Sequence, residues 1–249
     1  ARAQVLLLSV AKALVNLSSG NLLAKDSIVN EGGVRSLTPH LLNKPQELTR
    51  AFCVLLKNCL TAPELRERII TDGAIAPLVK LIHKTEIRDA QRSDAVVAAA
   101  AAAVWNLTAH PPAKAMVLRE RAVEALVSQL RESYSTDVWQ KCCGCLMVLA
   151  ANSEKVKSLA GTEGAVSQLV AIVRKSEANK GVLKAALGAL AVLSSDERNL
   201  KNMMAEDIDW TRASPCLSSS CRSACMATCP PSAGGRTGRR AGRTVDADH

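Results

Sequence analysis

Val104-Trp105-Asn106-Leu107-Thr108 closes an alanine-rich run from Ala98 to Ala103. Alone it reads as a helix end carrying one polar residue. The chain repeats it. Leu14-Val15-Asn16-Leu17-Ser18 is one echo, and Leu56-Lys57-Asn58-Cys59-Leu60 is another. Met147-Val148-Leu149-Ala150 and Ala191-Val192-Leu193-Ser194 are weaker echoes without the Asn. Asn16, Asn58, Asn106, Val148 and Val192 follow one another at 42, 48, 42 and 44 residues. A period of that length marks a helical repeat array, in which each unit buries its apolar face against its neighbours.

The units between these points have the same grammar. Helical spacing runs over 4–18, 22–29, 34–42 and 45–60, then over 63–70, 75–82 and 93–107. It continues over 112–119, 123–130 and 136–149, then 153–159, 166–173 and 180–193, and ends with a short stretch at 199–204. Each unit is thus two short helices and one longer third helix. Second helices open as Gly-x-Val/Ile-x-x-Leu: Gly32 with Val34 and Leu37, Gly73 with Ile75 and Leu78, Gly164 with Val166 and Leu169. A glycine at such a junction takes the left-handed conformation cheaply. The unit at Val123 and Leu126 carries Arg121 there instead. The 48-residue spacing takes its extra length in a charged loop between Lys84 and Asp94. Leu14, Leu37, Leu78, Leu126, Leu169 and Leu190 are expected to be buried. The leading helix lacks the first two helices of its unit. Its face with Val5, Leu6 and Ala13 should stand uncovered, which predicts self-association or marginal stability.

Composition narrows the class. Hydrophobic residues are 48% of the chain but aromatics only 2%, so the core is Leu, Val, Ala and Ile. Small aliphatic side chains suit closely stacked helices. No apolar run reaches the ~18 residues of a transmembrane helix. Cys53, Cys59, Cys142, Cys143 and Cys145 fall among apolar helical residues and read as reduced, buried thiols. The net charge is +9, of which the segment from Thr211 holds +4 and the other 210 residues +5. A body so mildly basic is not a nucleic-acid-binding composition. From about residue 209 the periodicity ends and Ser, Cys, Gly and Arg dominate, which predicts disorder over 209–249. Cys216, Cys221, Cys225 and Cys229 lack the paired spacing of a zinc site. The sequence holds no phosphate loop, nucleophile elbow, cofactor motif or metal-ligand pair. It gives no reason to expect an enzyme, a cofactor or a small-molecule substrate.

The openings Gly73-Ala74-Ile75-x-x-Leu78-Val79 and Gly164-Ala165-Val166-x-x-Leu169-Val170 resemble the armadillo repeat. So do the endings Ala103-Val104-Trp105-Asn106-Leu107 and Ala13-Leu14-Val15-Asn16-Leu17. The resemblance implies an all-α right-handed superhelix with three helices per repeat. It spans residues 1–208, as about four full repeats plus a leading third helix and a trailing first helix. It also implies that third helices line a concave groove whose Asn grip an extended peptide backbone. Asn16, Asn58 and Asn106 are then groove candidates, and Lys12, Arg50, Lys141 and Lys184 could attract an acidic or phosphorylated segment. The other reading of each Asn is a bond within the array. Nuclear-import adaptors of the family carry Trp four residues before each Asn; here those positions are Lys12, Val54 and Ala102. Trp105 and Trp139 read as packing residues. The expected function is a non-catalytic protein-interaction scaffold for an extended, acidic peptide, in the cytoplasm, nucleus or cilium. The alternative is the substrate-binding array of a larger enzyme such as a U-box-type ubiquitin ligase.

Overall fold

The computed structural model describes residues 2–42, 44–83, 93–176 and 179–206, without the side chain of Ala3. The expected disordered tail and the charged loop lie outside them. Every regular element among the described residues is helical. In chain order they are α1 (Arg2–Ser18), α2 (Leu22–Asn30), α3 (Gly33–Leu37), α4 (Gln46–Cys59) and α5 (Arg66–Thr71). Then come α6 (Ile75–Ile82), α7 (Asp94–Thr108), α8 (Pro111–Arg119), α9 (Ala122–Glu132) and α10 (Thr136–Ala150). The last are α11 (Glu154–Thr162), α12 (Ala165–Lys175), α13 (Lys180–Leu193) and α14 (Glu197–Ala205). The third helices α1, α4, α7, α10 and α13 pack in series, each on the next. The second helices α6, α9 and α12 form a parallel row.

One stripe explains this stacking. Four positions, spaced 4, 3 and 4 residues apart, face the first and second helices of each unit. They are Leu48, Phe52, Leu55 and Cys59 in α4, and Val96, Ala100, Ala103 and Leu107 in α7. In α10 they are Val138, Cys142, Cys145 and Leu149, and in α13 Val182, Ala186, Ala189 and Leu193. All sixteen are 0–2% exposed. Burying one Leu or Phe here stabilises by roughly 2 kcal/mol. The equivalents in α1 are the contrast: Leu6 is 67% exposed, Val10 47% and Leu17 57%, and Ala13 is exposed too. Val5 is exposed as well, as expected for this face of the leading helix.

Leu78, Leu126, Leu169 and Leu190 are fully buried, as the spacing requires. Leu14 and Leu37 are not; both are half-buried at the edge of the core. Leu14 sits on the under-covered leading helix. Leu37 sits where the expected 34–42 helix divides. Pro39 has no N–H to donate back into the α-helical ladder, so α3 ends and a tighter 3₁₀ turn, Thr38–His40, follows. The helix expected from Pro63 likewise starts as a 3₁₀ turn, Pro63–Leu65, before α5.

Arg121 takes the backbone of the glycine it replaces. Its φ is 60°, beside 75° at Gly32, 79° at Gly73 and 84° at Gly164. A side chain in that region costs about 1 kcal/mol. Its pair with Glu124, 3.1 Å at a side chain 70% exposed, returns little. Arg121→Gly is therefore expected to raise stability by about 0.5–1 kcal/mol, with a gain of about 1–3 °C in Tm by calorimetry.

All five described cysteines are free and buried. Burial pushes the Cys53 and Cys143 thiols from an ordinary 9.0 up to about 12. Cys59 rises to about 11, held back by the charge of Lys25. Cys142 and Cys145 are driven up by the same desolvation. The unfolded thiol loses its proton near pH 9 while the folded one keeps it. The stability these thiols contribute is complete below pH 9 and is lost as pH climbs toward 12. Urea melts at pH 7, 8.5 and 10 should show a fall confined to the last step, with a slope of at most about 1.4 kcal/mol per pH unit per thiol. Cys143→Ala should make that fall shallower.

Candidate peptide groove on the third-helix row

The third helices present a second face, which the resemblance places on the concave side. Asn16, Lys12, Arg50 and Lys184 are exposed there, and Asn58, Asn106 and Lys141 are half-buried. Lys141 Nζ lies 3.8 Å from Asp137, whose side chain is 63% exposed. The Asn side chains are not equivalent. Asn58 Nδ2 donates to the Val15 carbonyl at 3.2 Å and to Ser18 Oγ at 3.1 Å. Asn106 Nδ2 donates to the Lys57 carbonyl at 3.1 Å. A carbonyl only accepts, so the amide nitrogen must be the atom that meets it. Both hydrogens of Asn58 are thus used in tying α4 to α1, leaving its oxygen for any ligand. Asn106 keeps one hydrogen and its oxygen. Asn16 keeps its whole amide.

The row one residue before each Asn position was missed in the sequence. It reads Val15, Lys57, Trp105, Met147 and Ala191, and all five are half-buried. Its register with the next helix differs along the array. Where the next helix carries Asn, the backbone carbonyl of this row is tied by the amide. Where the next helix carries Val148 or Val192, the side chain of this row lies over a glycine instead. A Cβ on Gly144 would sit 2.6 Å from Trp105 Cη2, and one on Gly188 would sit 2.8 Å from Met147 Sδ. A glycine inside a helix costs about 1 kcal/mol, and that cost was the available signal of a close approach. Lys57 adds a fifth cation to the face that holds Lys12, Arg50, Lys141 and Lys184.

Among the described residues, no group of three or more His, Cys, Asp or Glu is placed to hold a metal ion. No described helix is long and apolar enough to cross a membrane. The cysteine cluster of the tail lies outside the described residues.

The unequal bonding of the Asn makes a measurable difference. Asn58→Ala removes two hydrogen bonds between neighbouring repeats and should cost about 1–2 kcal/mol. Asn16→Ala removes none and should stay within about 0.5 kcal/mol of the parent. Chemical denaturation of the two variants checks this; equal losses would mean that the amide ties carry no stability.

No family model matches the sequence, and no curated protein matches it. Solved structures do. An engineered protein is 22% identical at a TM-score of 0.72, over 87% of this chain and 92% of its own. A designed armadillo repeat protein is 20% identical at a TM-score of 0.70, over 89% of this chain and 91% of its own. Another, in complex with the peptide (KR)4, is 20% identical at a TM-score of 0.68, over 88% and 90%. Likeness at this identity speaks to the fold. Helix order, the stacked third-helix row and these neighbours agree, and the chain is an armadillo-type repeat solenoid.

Proposed function

We propose that the array, over residues 1–208, is a non-catalytic scaffold that binds an extended, acidic peptide along its third-helix groove. The observation that carries this is the charge of the groove face. Lys12, Arg50, Lys57, Lys141 and Lys184 stand on α1, α4, α10 and α13, against Glu47 of α4 and Asp137 beside Lys141. Each exposed pair with a ligand carboxylate contributes at most about 1 kcal/mol, so several must act together. Asn16, the oxygen of Asn58 and the half-used amide of Asn106 are available to a peptide backbone. Designed armadillo proteins have been made for modular peptide recognition, which supports the groove as the binding face. One such neighbour is seen with a basic peptide. The cations here would repel that ligand.

Fluorescence anisotropy with labelled octapeptides tests the reading. An Asp/Ser peptide is expected to bind more tightly than its Asn/Ser counterpart, and (KR)4 to bind least. Raising NaCl from about 50 to 300 mM should weaken the acidic peptide, because exposed pairs are screened beyond ~10 Å at 0.1 M salt. Arg50→Glu with Lys141→Glu should reverse the order. Equal affinity for the acidic and basic peptides would sink the proposal.

A further inference from the structure

We infer that Trp105 and Met147 form the specificity-determining seat of this groove, taking an apolar side chain of the bound peptide between the cations at Lys57 and Lys141. The inference rests on the groove reading above and says which ligand residue the groove selects.

The geometry begins with Gly144. It lies four residues before Val148, at a position where import adaptors of the family place Trp. Here it has no side chain, and Trp105 from the neighbouring helix fills the space. Trp105 Cη2, Cζ3 and Cζ2 all fall within 3 Å of where a Gly144 Cβ would stand. The indole therefore lies across α10 without being buried by it. Two facts set it apart from a core tryptophan. Trp105 is half-buried, whereas Trp139 is 6% exposed. Trp139 Nε1 donates to the Ser133 carbonyl at 2.9 Å, while Trp105 Nε1 has no hydrogen-bond partner among the described residues and is not sealed from solvent. An indole N–H in a packed site ordinarily finds an acceptor. This one is left unpaired and open to solvent, with a peptide carbonyl as its natural partner.

The next helix repeats the device. Met147, three residues after Gly144 and on the same face of α10, lies over Gly188. An aromatic ring and a thioether thus stand on adjacent helices of this face, each over a glycine of the next helix. Tryptophan is enriched among residues that dominate binding, and Met adapts to varied apolar shapes. Lys57 precedes Trp105 in the same row, and Lys141 sits one turn before Gly144. The seat is thus apolar at its centre, with Lys57 one helix before Trp105 and Lys141 at the N-terminal side of Gly144 on α10. An extended peptide shows residues i and i+2 on one face. The complementary ligand carries apolar residues at two alternate positions, flanked on that same face by Asp or Glu.

The probe is a nonapeptide whose alternate residues read Asp, Leu, Leu and Asp, separated by Ser and ended by Gly. The control replaces both Leu by Ala. Affinities are measured by isothermal titration, and contact is read by fluorine NMR on protein labelled with 5-fluorotryptophan. The Leu peptide should bind at least tenfold more tightly than the Ala peptide and shift the Trp105 resonance. Trp105→Ala should erase that preference while leaving the Ala peptide within about threefold. Gly144→Ala keeps the indole but displaces it, and should erase the preference as well. Met147→Ala should reduce it three- to fivefold in a protein that melts normally. A preference that survives Trp105→Ala, or two peptides binding equally to the parent, overturns this inference and leaves the acidic groove standing. If neither peptide binds, both readings fall.

Discussion

Each third helix carries a stripe of four apolar residues that must be kept from water, and covering it dictates the rest of the unit. Leu48, Phe52, Leu55 and Cys59 are sealed by the first and second helices beside α4. The same chemistry in α1 stays open, with Leu6 67% exposed. The difference lies in what stands next to the helix. A repeat array has no central core, so burial is a nearest-neighbour quantity and end units differ from middle ones. The stripe also explains why alanine and cysteine are so abundant. Ala100 and Ala103 in α7, and Cys142 and Cys145 in α10, let helices close to contact distance where Leu would hold them apart.

The opposite face shows two ways of fastening neighbouring third helices. In the first half an Asn amide crosses to a backbone carbonyl: Asn58 to Val15, Asn106 to Lys57. The residues four earlier, Val54 and Ala102, then keep their side chains. In the second half the amide is gone, and a large side chain lies across a glycine. A hydrogen bond of the first kind contributes roughly 1 kcal/mol. An apolar side chain laid over backbone contributes a comparable or larger amount by area. The two devices leave different surfaces: polar amides toward α1, an apolar platform toward α13.

Much of this was legible in the sequence. The period, the third-helix endings and the glycine openings placed the units and most of the buried leucines. Those signals are local and recur, so errors at one unit are corrected by the others. Arg121 was recognised as standing at a glycine position, but that the backbone would keep φ at 60° came only from the structure. The break at Pro39 was missed because apolar spacing continues past it to Leu41 and Leu42. The candidate site was harder to read. Asn58 and Asn106 could be placed on the groove, but whether an amide faces a ligand or a neighbouring carbonyl depends on spacing between helices. Trp105 was read as packing, and it does pack, half-buried, against the core. Only its lean over Gly144, with the indole N–H left unpaired, separates it from Trp139.

First-helix side chains hold third-helix ends in both halves of the array, with or without the Asn tie. Lys114 of α8 donates to the Val148 carbonyl at 3.2 Å and to the Ala151 carbonyl at 2.7 Å, at the C-terminal end of α10. Lys25 of α2 takes the equivalent place beside α4, donating to Thr61 Oγ1 at 2.7 Å. The Lys114 ammonium meets carbonyls at the negative end of the helix dipole, while Lys25 meets a hydroxyl at the equivalent end. The end of α13 is held from the first helix that follows it instead: Asn199 of α14 donates from Nδ2 to the Lys157 and Leu193 carbonyls at 2.9 and 3.3 Å. Gly161 leaves room for that side chain, since a Cβ there would collide with Asn199 Oδ1. Third-helix ends are thus held from the outer side by first-helix side chains. Where Val148 and Val192 stand, Trp105 and Met147 instead lie over Gly144 and Gly188 on the third-helix face.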